Sequence, residues 1–415
     1  MPPSDNDRSN DKALAALAGA LRSATDRCVA CGLCLPHCPT YGASLNENES
    51  PRGRIALLRA TAEGTLKATP TVVAHIDRCL GCLACESVCP SHVEYASILK
   101  NGRALLVREA PTSWRASLRR RLIRGVDLRG AVTVAYAAAR LLARLPWPRA
   151  RRGPLATVLQ GLPARPRPAL VRTNDADGAC VALFLGCTAG LDRPTLNAAI
   201  RILRATGQRV HVPREQACCG ALATHAGLTD IADRQRLRNL RAFEGRAPAL
   251  VSIASGCAAE LRSYGPAGLD RFPEVFDIHR YLVERSDLGR LKLAPRRQTI
   301  AVHDPCSLRN SLKGERFVYE LLARIPGVRI IELPGNGTCC GAAGDYFLRE
   351  PGHAQALAAT KAAAAAASEA DIIVSANIGC ALHLSAALSR AGCALPVLHP
   401  LLVLDQQLPP SQDAC

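Results

Sequence analysis

The sequence predicts a mixed fold: a helical, cysteine-rich N-terminal domain followed by an α/β unit that occurs twice. Three observations predict it. Residues 28–38 and 79–89 carry the same four-cysteine spacing, each followed by proline. The residues between these runs contain a strong helix start. From residue 178 onward, strand-like and helical runs alternate in an order that repeats, with three cysteine landmarks in step.

The first run is Cys28-Val-Ala-Cys31-Gly-Leu-Cys34-Leu-Pro-His-Cys38-Pro39, and its echo is Cys79-Leu-Gly-Cys82-Leu-Ala-Cys85-Glu-Ser-Val-Cys89-Pro90. CxxCxxCxxxCP is the spacing in which three thiolates wrap one cubane 4Fe-4S cluster and the fourth crosses to a second cluster. Three closely spaced sulfurs converge on one face of a cube. Proline after the last cysteine supplies no N–H and disfavours helical geometry at that cysteine, so the chain turns away there. On this rule Cys28, Cys31, Cys34 and Cys89 hold one cluster, and Cys38, Cys79, Cys82 and Cys85 hold the second. Zinc ribbons and disulfides are the alternatives. Four cysteines in eleven residues overfill the paired CxxC spacing of a zinc site, and the whole pattern comes twice.

At 415 residues the chain has room for two or three domains, and 48% hydrophobic with 21% charged residues is ordinary for a folded protein. Global disorder is excluded. Nineteen cysteines behind a polar Met1–Asn10 with no export signal point to metal ligation in a reducing compartment, so a cytoplasmic location is expected. The formal charge is +17, and only six of the 52 basic residues are lysine. Genome base composition accounts for much of this arginine bias, but not for its clustering. Eleven arginines lie between Arg115 and Arg152 against one acid, Asp127. An anionic membrane surface or an acidic partner fits this density. Nucleic acid does not, because aromatics are not interleaved with the arginines and the cysteine spacing is wrong for fingers.

In chain order, leucines at 14, 17 and 21 share one helix face, which predicts a helix over residues 11–27 leading into the first cysteine run. Next, Glu49-Ser50-Pro51-Arg52-Gly53-Arg54 reads as a helix start, with Ser50 as N-cap and Pro51 in the first helical position. An insertion of this length favours a helical dicluster domain over a compact two-cluster ferredoxin. Arg52 and Arg54 either neutralise cluster charge, meet a partner, or stand as solvated helix arginines. Trp114 to Gly153 forms an arginine-rich connector. Its stretch Ala131 to Leu145 is apolar for only about nine residues before Arg140, short of the roughly 20 that a bilayer span needs. No transmembrane segment is expected. Bracketed by Trp114 and Trp147, the stretch reads as an interfacial amphipathic helix. Residues 146–168, rich in proline and arginine, read as a linker.

The repeat follows. In its first copy a strand-like run over 180–186 ends at Cys187, a helix covers 195–206, a strand over 209–212 leads to Cys218-Cys219-Gly220, and 249–256 leads to Cys257. In the second copy 299–305 ends at Cys306, a helix covers 314–324, a strand over 328–333 precedes Cys339-Cys340-Gly341, and 371–379 leads to Cys380. Cys187, Cys218 and Cys257 recur as Cys306, Cys339 and Cys380, at offsets of 119, 121 and 123 residues. Strands alternating with helices predict α/β halves whose ligands lie past the carboxyl ends of the strands, where the four cysteines of each copy gather. A disulfide between neighbouring cysteines is strained. Presenting two thiolates to one metal cluster is the more natural use of the pair, with small buried hydrophobes as the alternative. Cys180, Cys393 and Cys415 have no counterpart in the other copy and read as incidental.

The paired CxxCxxCxxxCP runs, Ser-Pro-Arg-Gly-Arg at 50–54, and two CCG segments ending in Ser-Gly-Cys257 and Asn-Ile-Gly-Cys380-Ala-Leu-His383-Leu384 together resemble the iron-sulfur subunits of bacterial glycolate oxidase, strictly a dehydrogenase. The resemblance runs from residue 15 to residue 405. Similar architecture occurs in the third subunit of anaerobic glycerol-3-phosphate dehydrogenase and in lactate-utilisation proteins. The resemblance implies a helical dicluster 4Fe-4S ferredoxin-like domain at 1–110, a basic connector and linker at 111–175, and cysteine-rich CCG repeats at 176–290 and 296–408. It implies two 4Fe-4S clusters on the eight cysteines named above and no catalytic residue in this chain. Separate FAD-binding dehydrogenase subunits are implied to oxidise glycolate to glyoxylate, often tolerating D-lactate. This subunit is implied to pass their electrons toward a quinone, peripherally on the cytoplasmic face of the inner membrane.

The CCG repeats also resemble those of heterodisulfide reductase, whose motif ends in CxxC around a further cluster. Cys187, Cys218, Cys219, Cys257, Cys306, Cys339, Cys340 and Cys380 are the candidate ligands here. The final positions read Cys257-Ala-Ala-Glu260 and Cys380-Ala-Leu-His383, so each copy lacks the last thiol, with Glu260 or His383 as its candidate replacement. A thiol-disulfide enzyme is the competing reading, weakened by that missing thiol. No GxGxxG, GxxxxGK[ST] or G-x-S-x-G element occurs, so a flavin or nicotinamide has to come from a partner.

Overall fold

The structure is a computed structural model, and it describes residues 5–110, 114–125, 181–264 and 271–409. The apolar stretch at 131–145, Trp147, the linker at 146–168, Cys180 and Cys415 lie outside the described residues. The chain divides into two compact units. Among the described residues, one comprises 5–110 and 114–124 with 222–232 and 337–339, and the other the rest.

The first unit is helical. It contains α1 (Asp5–Thr25), α2 (Pro39–Ser44), α3 (Pro51–Ala62), α4 (Pro70–Asp77), α5 (Ala84–Ser87), α6 (Tyr95–Glu109) and α7 (Trp114–Gly125). Leu21 of α1, Leu58 of α3, Ile76 of α4, and Ile98 and Leu105 of α6 are fully buried together. Each such side chain contributes about 1.5–3 kcal/mol by leaving water. The expected helix start is present at α3: the Ser50 hydroxyl accepts the Gly53 N–H at 2.9 Å, and Pro51 opens the first turn. A side chain at Gly53 would place its Cβ 1.9 Å from the Glu47 carbonyl oxygen, so only glycine tolerates this approach. Likewise a Cβ at Gly102 would lie 2.5 Å from Leu58, which shows how closely α3 and α6 pack. Cys38 is extended (φ −93°, ψ 113°), as a residue before proline should be, and α2 starts at Pro39.

The second unit holds two four-stranded, all-parallel sheets. In the first, β1 (Val181–Phe184), β2 (Val210–His211), β3 (Ala249–Ser252) and β4 (Glu274–Asp277) lie in the order β2-β1-β3-β4. In the second, β5 (Gln298–His303), β6 (Val328–Glu332), β7 (Ile372–Ser375) and β8 (Val397–Leu398) lie in the order β6-β5-β7-β8. The register pairs Val181 with Ala249 in one copy and Ile300 with Ile372 in the other. The duplication read from the cysteines is therefore a duplication of fold. β1 and β3 are buried along their whole length, as strands covered on both faces by crossover helices should be. Sequence reading anticipated three strands per copy and missed β4 and β8. The two copies share one core and a polar seam in which His399 Nε2 lies 2.9 Å from the Ile253 carbonyl.

Candidate iron-sulfur sites

Both CxxCxxC loops adopt one conformation. Ala30 (φ 53°) and Gly32 (φ 85°) in the first loop are left-handed, and so are Gly81 (φ 62°) and Leu83 (φ 58°) at the matching positions of the second. Left-handed residues between right-handed or extended neighbours turn successive N–H groups to one side, a nest that favours an anion. A thiolate-ligated iron-sulfur cube is such an anion. At position 32, where the second loop has Leu83, a Cβ would lie 2.9 Å from Arg52 Nη1, the far end of that side chain.

Cys28, Cys31, Cys34 and Cys89, drawn from both runs, line one cavity together with Cys85 and Tyr95. Four of these five cysteines belong to one crossover set and Cys85 to the other, and the thiol donors and loop nests suit a cubane. Arg52 braces the rim, donating to Ala30 O at 3.1 Å and pairing with Glu47 at 2.7 Å.

The other quartet lies beside it. Burial pushes the Cys85 thiol far up, helped by Cys79, Cys82, Cys38 and Cys34 nearby. Thiols crowded this way cannot all ionise unless a cation sits among them, which a cluster's iron supplies. At Cys79 desolvation also raises the thiol, yet Arg54, Arg103, the Gly81 N–H and the Tyr95 hydroxyl together hold it below the ordinary range. Tyr95 Oη lies 3.6 Å and Gly81 N 3.4 Å from Cys79 Sγ. Thr40 Oγ1 lies 3.2 Å from Cys38 Sγ.

Arg54 is not a solvated helix arginine. It is 1% exposed and donates to Glu49 Oε2 and the Glu49 carbonyl at 2.6 Å, to Thr40 Oγ1 at 2.9 Å and to the His75 carbonyl at 2.8 Å. Glu49 also meets His75 Nδ1 at 2.7 Å and Arg78 at 3.1 Å. Tyr95, Thr40, Glu49, His75 and Arg103 were not anticipated as site residues. Only Thr40, two positions after Cys38, carried a local hint.

In the first CCG copy, Cys187 follows β1, Cys218 and Cys219 follow β2, and Cys257 follows β3. Cys218 accepts hydrogen bonds from the Cys187 and Cys219 thiols, which hold it well below the ordinary thiol range, and Cys219 in turn contacts Cys257. All four sulfurs thus form one chain. Asn239 Nδ2 and the Tyr264 hydroxyl secure the Cys218 and Cys219 carbonyls at 2.9 and 2.8 Å. In the second copy Cys340 and Cys380 pack together with Ala342, Cys306 is half-buried after β5, and Cys339 is buried. His383 is committed elsewhere, its Nε2 3.0 Å from the Ala354 carbonyl and its ring against Phe347. Every cysteine among the described residues is a free thiol in this structure. No group of three or more His, Cys, Asp or Glu among the described residues is placed to hold a single metal ion.

Comparison with known proteins matches both cysteine-rich regions to known domains. Residues 24–93 match the 4Fe-4S dicluster domain, and residues 181–262 and 300–385 match the cysteine-rich CCG domain. The chain is similar to the probable glycolate oxidase iron-sulfur subunit of Bacillus subtilis, 32% identical over 397 residues, with 88% of this chain and 89% of that one covered. It is similar to the glycolate oxidase iron-sulfur subunit of Escherichia coli, 32% identical with 87% and 89% covered. A dihydromethanophenazine:CoB–CoM heterodisulfide reductase polypeptide of Methanosarcina barkeri is 26% identical, with 87% and 88% covered. The chain carries 4Fe-4S clusters, and its role is electron transfer. With nearly nine-tenths of both sequences aligned to two such subunits, it belongs to the family of glycolate oxidase iron-sulfur subunits.

Proposed function

We propose that this chain relays electrons, one at a time, from FAD-bearing partner subunits that oxidise glycolate to glyoxylate, or D-lactate in its place, toward a quinone. Cys28, Cys31, Cys34 and Cys89 hold one cluster, and Cys38, Cys79, Cys82 and Cys85 hold the other. The observation that carries the reading is the adjacency of the two quartets. Cys85, a ligand of the second, lies on the wall of the cavity formed by the first, and Tyr95 spans both. Side-by-side clusters suit a relay. Tagged protein purified from its native cells should bring down an FAD-bearing subunit, and glycolate should then bleach the cluster absorbance. Recovery of the chain alone, or bleaching by glycerol 3-phosphate but not glycolate, contradicts the proposal.

Attachment to a membrane surface belongs to the same proposal. No helix among the described residues is long and apolar enough to cross a bilayer. α7 instead exposes Trp114 (71%), Leu118 (47%) and Leu122 (64%) at intervals of four beside exposed Arg121, while Ile123 on its other face is buried. An apolar stripe flanked by arginines is the pattern of a helix lying in an anionic interface. The protein should sediment with anionic vesicles at low salt and be released by high salt. Remaining in the supernatant at low salt contradicts this part.

The sulfur chain through Cys187, Cys218, Cys219 and Cys257 supports a second reading, in which the first CCG copy is itself a redox site holding a further cluster or cleaving a disulfide. Iron beyond two cubanes per chain, or disulfide reductase turnover lost in Cys218→Ser, supports it. Neither being found sets it aside.

A further inference from the structure

The two quartets sit in unlike electrostatic surroundings. Near the first, Arg52 is one-third exposed and its guanidinium is spent on Glu47 through contacts of 2.7 and 3.3 Å, so its field is paired and screened by water. Around the second stand two buried guanidiniums, Arg54 (1% exposed) and Arg103 (4%). Arg103 Nη2 donates to the Cys79 carbonyl at 2.7 Å and the Ile76 carbonyl at 3.2 Å, which places its charge on the backbone of a ligand. Glu49 takes up the charge of Arg54 but is itself met by Arg78. Two hydroxyls add to this. The phenol of Tyr95, 3% exposed, lies 3.6 Å from Cys79 Sγ, and Thr40 Oγ1 lies 3.2 Å from Cys38 Sγ. Thr40 Oγ1 also donates to the Glu49 carbonyl at 2.8 Å, an oxygen that accepts Arg54 Nη1 at 2.6 Å as well, so the single Thr40 proton has both that carbonyl and the sulfur within reach.

Reducing a cubane adds one electron to an anionic centre and moves no atom. Burial by itself opposes that added charge. Hydrogen bonds to sulfur and nearby cations stabilise the reduced form more than the oxidised one and raise the potential. Around this quartet two buried guanidiniums and two hydroxyls, one of the guanidiniums on a ligand's backbone carbonyl and the hydroxyls 3.6 and 3.2 Å from ligand sulfurs, oppose the effect of burial.

We infer that the cluster held by Cys38, Cys79, Cys82 and Cys85 is the higher-potential member of the pair and fills first, and that Tyr95, through its hydroxyl on Cys79, is a positioning residue that sets the difference. The inference rests on the ligand sets proposed above. The test is a potentiometric titration of the full-length protein followed by electron paramagnetic resonance. Cys31→Ser and Cys82→Ser identify which signal belongs to which cluster. Cys82→Ser should alter the signal that appears first on reduction. Tyr95→Phe should keep its iron and shift the electron-exchange equilibrium between the clusters about tenfold away from the second, a fall of about 59 mV in that midpoint alone. Thr40→Ser, which keeps a hydroxyl, should leave the midpoint in place, whereas Thr40→Val should lower it. The inference is overturned if Cys82→Ser alters the later signal, or if Tyr95→Phe with full iron moves neither midpoint. Failure of the ligand sets looks different, because Cys31→Ser and Cys82→Ser then alter the same signal.

Discussion

Cys38→Ser should abolish or reshape the resonance of the cluster bound by Cys79, Cys82 and Cys85 and leave intact the cluster bound by its sequence neighbours Cys28, Cys31 and Cys34. The identity of the affected signal separates crossover ligation from simple sequential ligation. Cys38 ends the first run, yet its side chain is buried beside Thr40 and the Glu49 carbonyl and faces Arg54, which also faces Cys79. The first cavity is lined by Cys89 and Cys85 and not by Cys38. Serine offers a poorer, harder ligand than thiolate, so iron content should fall by as much as half. Loss confined to the Cys28-Cys31-Cys34 cluster contradicts crossover ligation.

Arg54→Met should be the most damaging substitution outside the cysteines. Removing one partner of a buried ion pair costs about 3–5 kcal/mol, because the other charge is left in a low-dielectric site. Glu49, 4% exposed, keeps His75 and Arg78, which places the expected loss near the lower end, about 3 kcal/mol. Arg54 also ties α3 to α4 through the His75 carbonyl and to the Cys38 loop through Thr40. Denaturant unfolding should show the lowered midpoint, and the second cluster should be lost from the folded fraction before the first. A variant as stable as the parent and retaining both signals contradicts this role.

What the sequence made legible was whatever it encodes locally. Cluster ligation depends on cysteines spaced two and three apart, so both runs could be read directly, and three cysteine landmarks in register exposed the duplication. The N-cap at Ser50 was equally local. Short strands were not legible: β8 is two residues long and β4 begins with an exposed Glu274, so neither shows a period. α6 was missed although Ile98, Leu99, Leu105 and Leu106 carry its buried face, because no side chain caps its start and Glu94 precedes it in place of a Ser, Thr or Asp signal. The role of Arg54 was beyond local reading for a different reason. A buried and a solvated arginine look alike in a sequence, and what buries this one is a carboxylate five residues away and a carbonyl 21 away. Tyr95 belongs to the same class, since its value lies in a sulfur 16 residues upstream.

On the ligand sets proposed above, two cubanes engage all eight thiolates of the paired runs. Protein prepared without oxygen should contain about eight iron atoms and eight acid-labile sulfides per chain from these two sites alone, with two magnetically interacting signals on reduction. Zinc in place of iron, with no labile sulfide, contradicts this ligation.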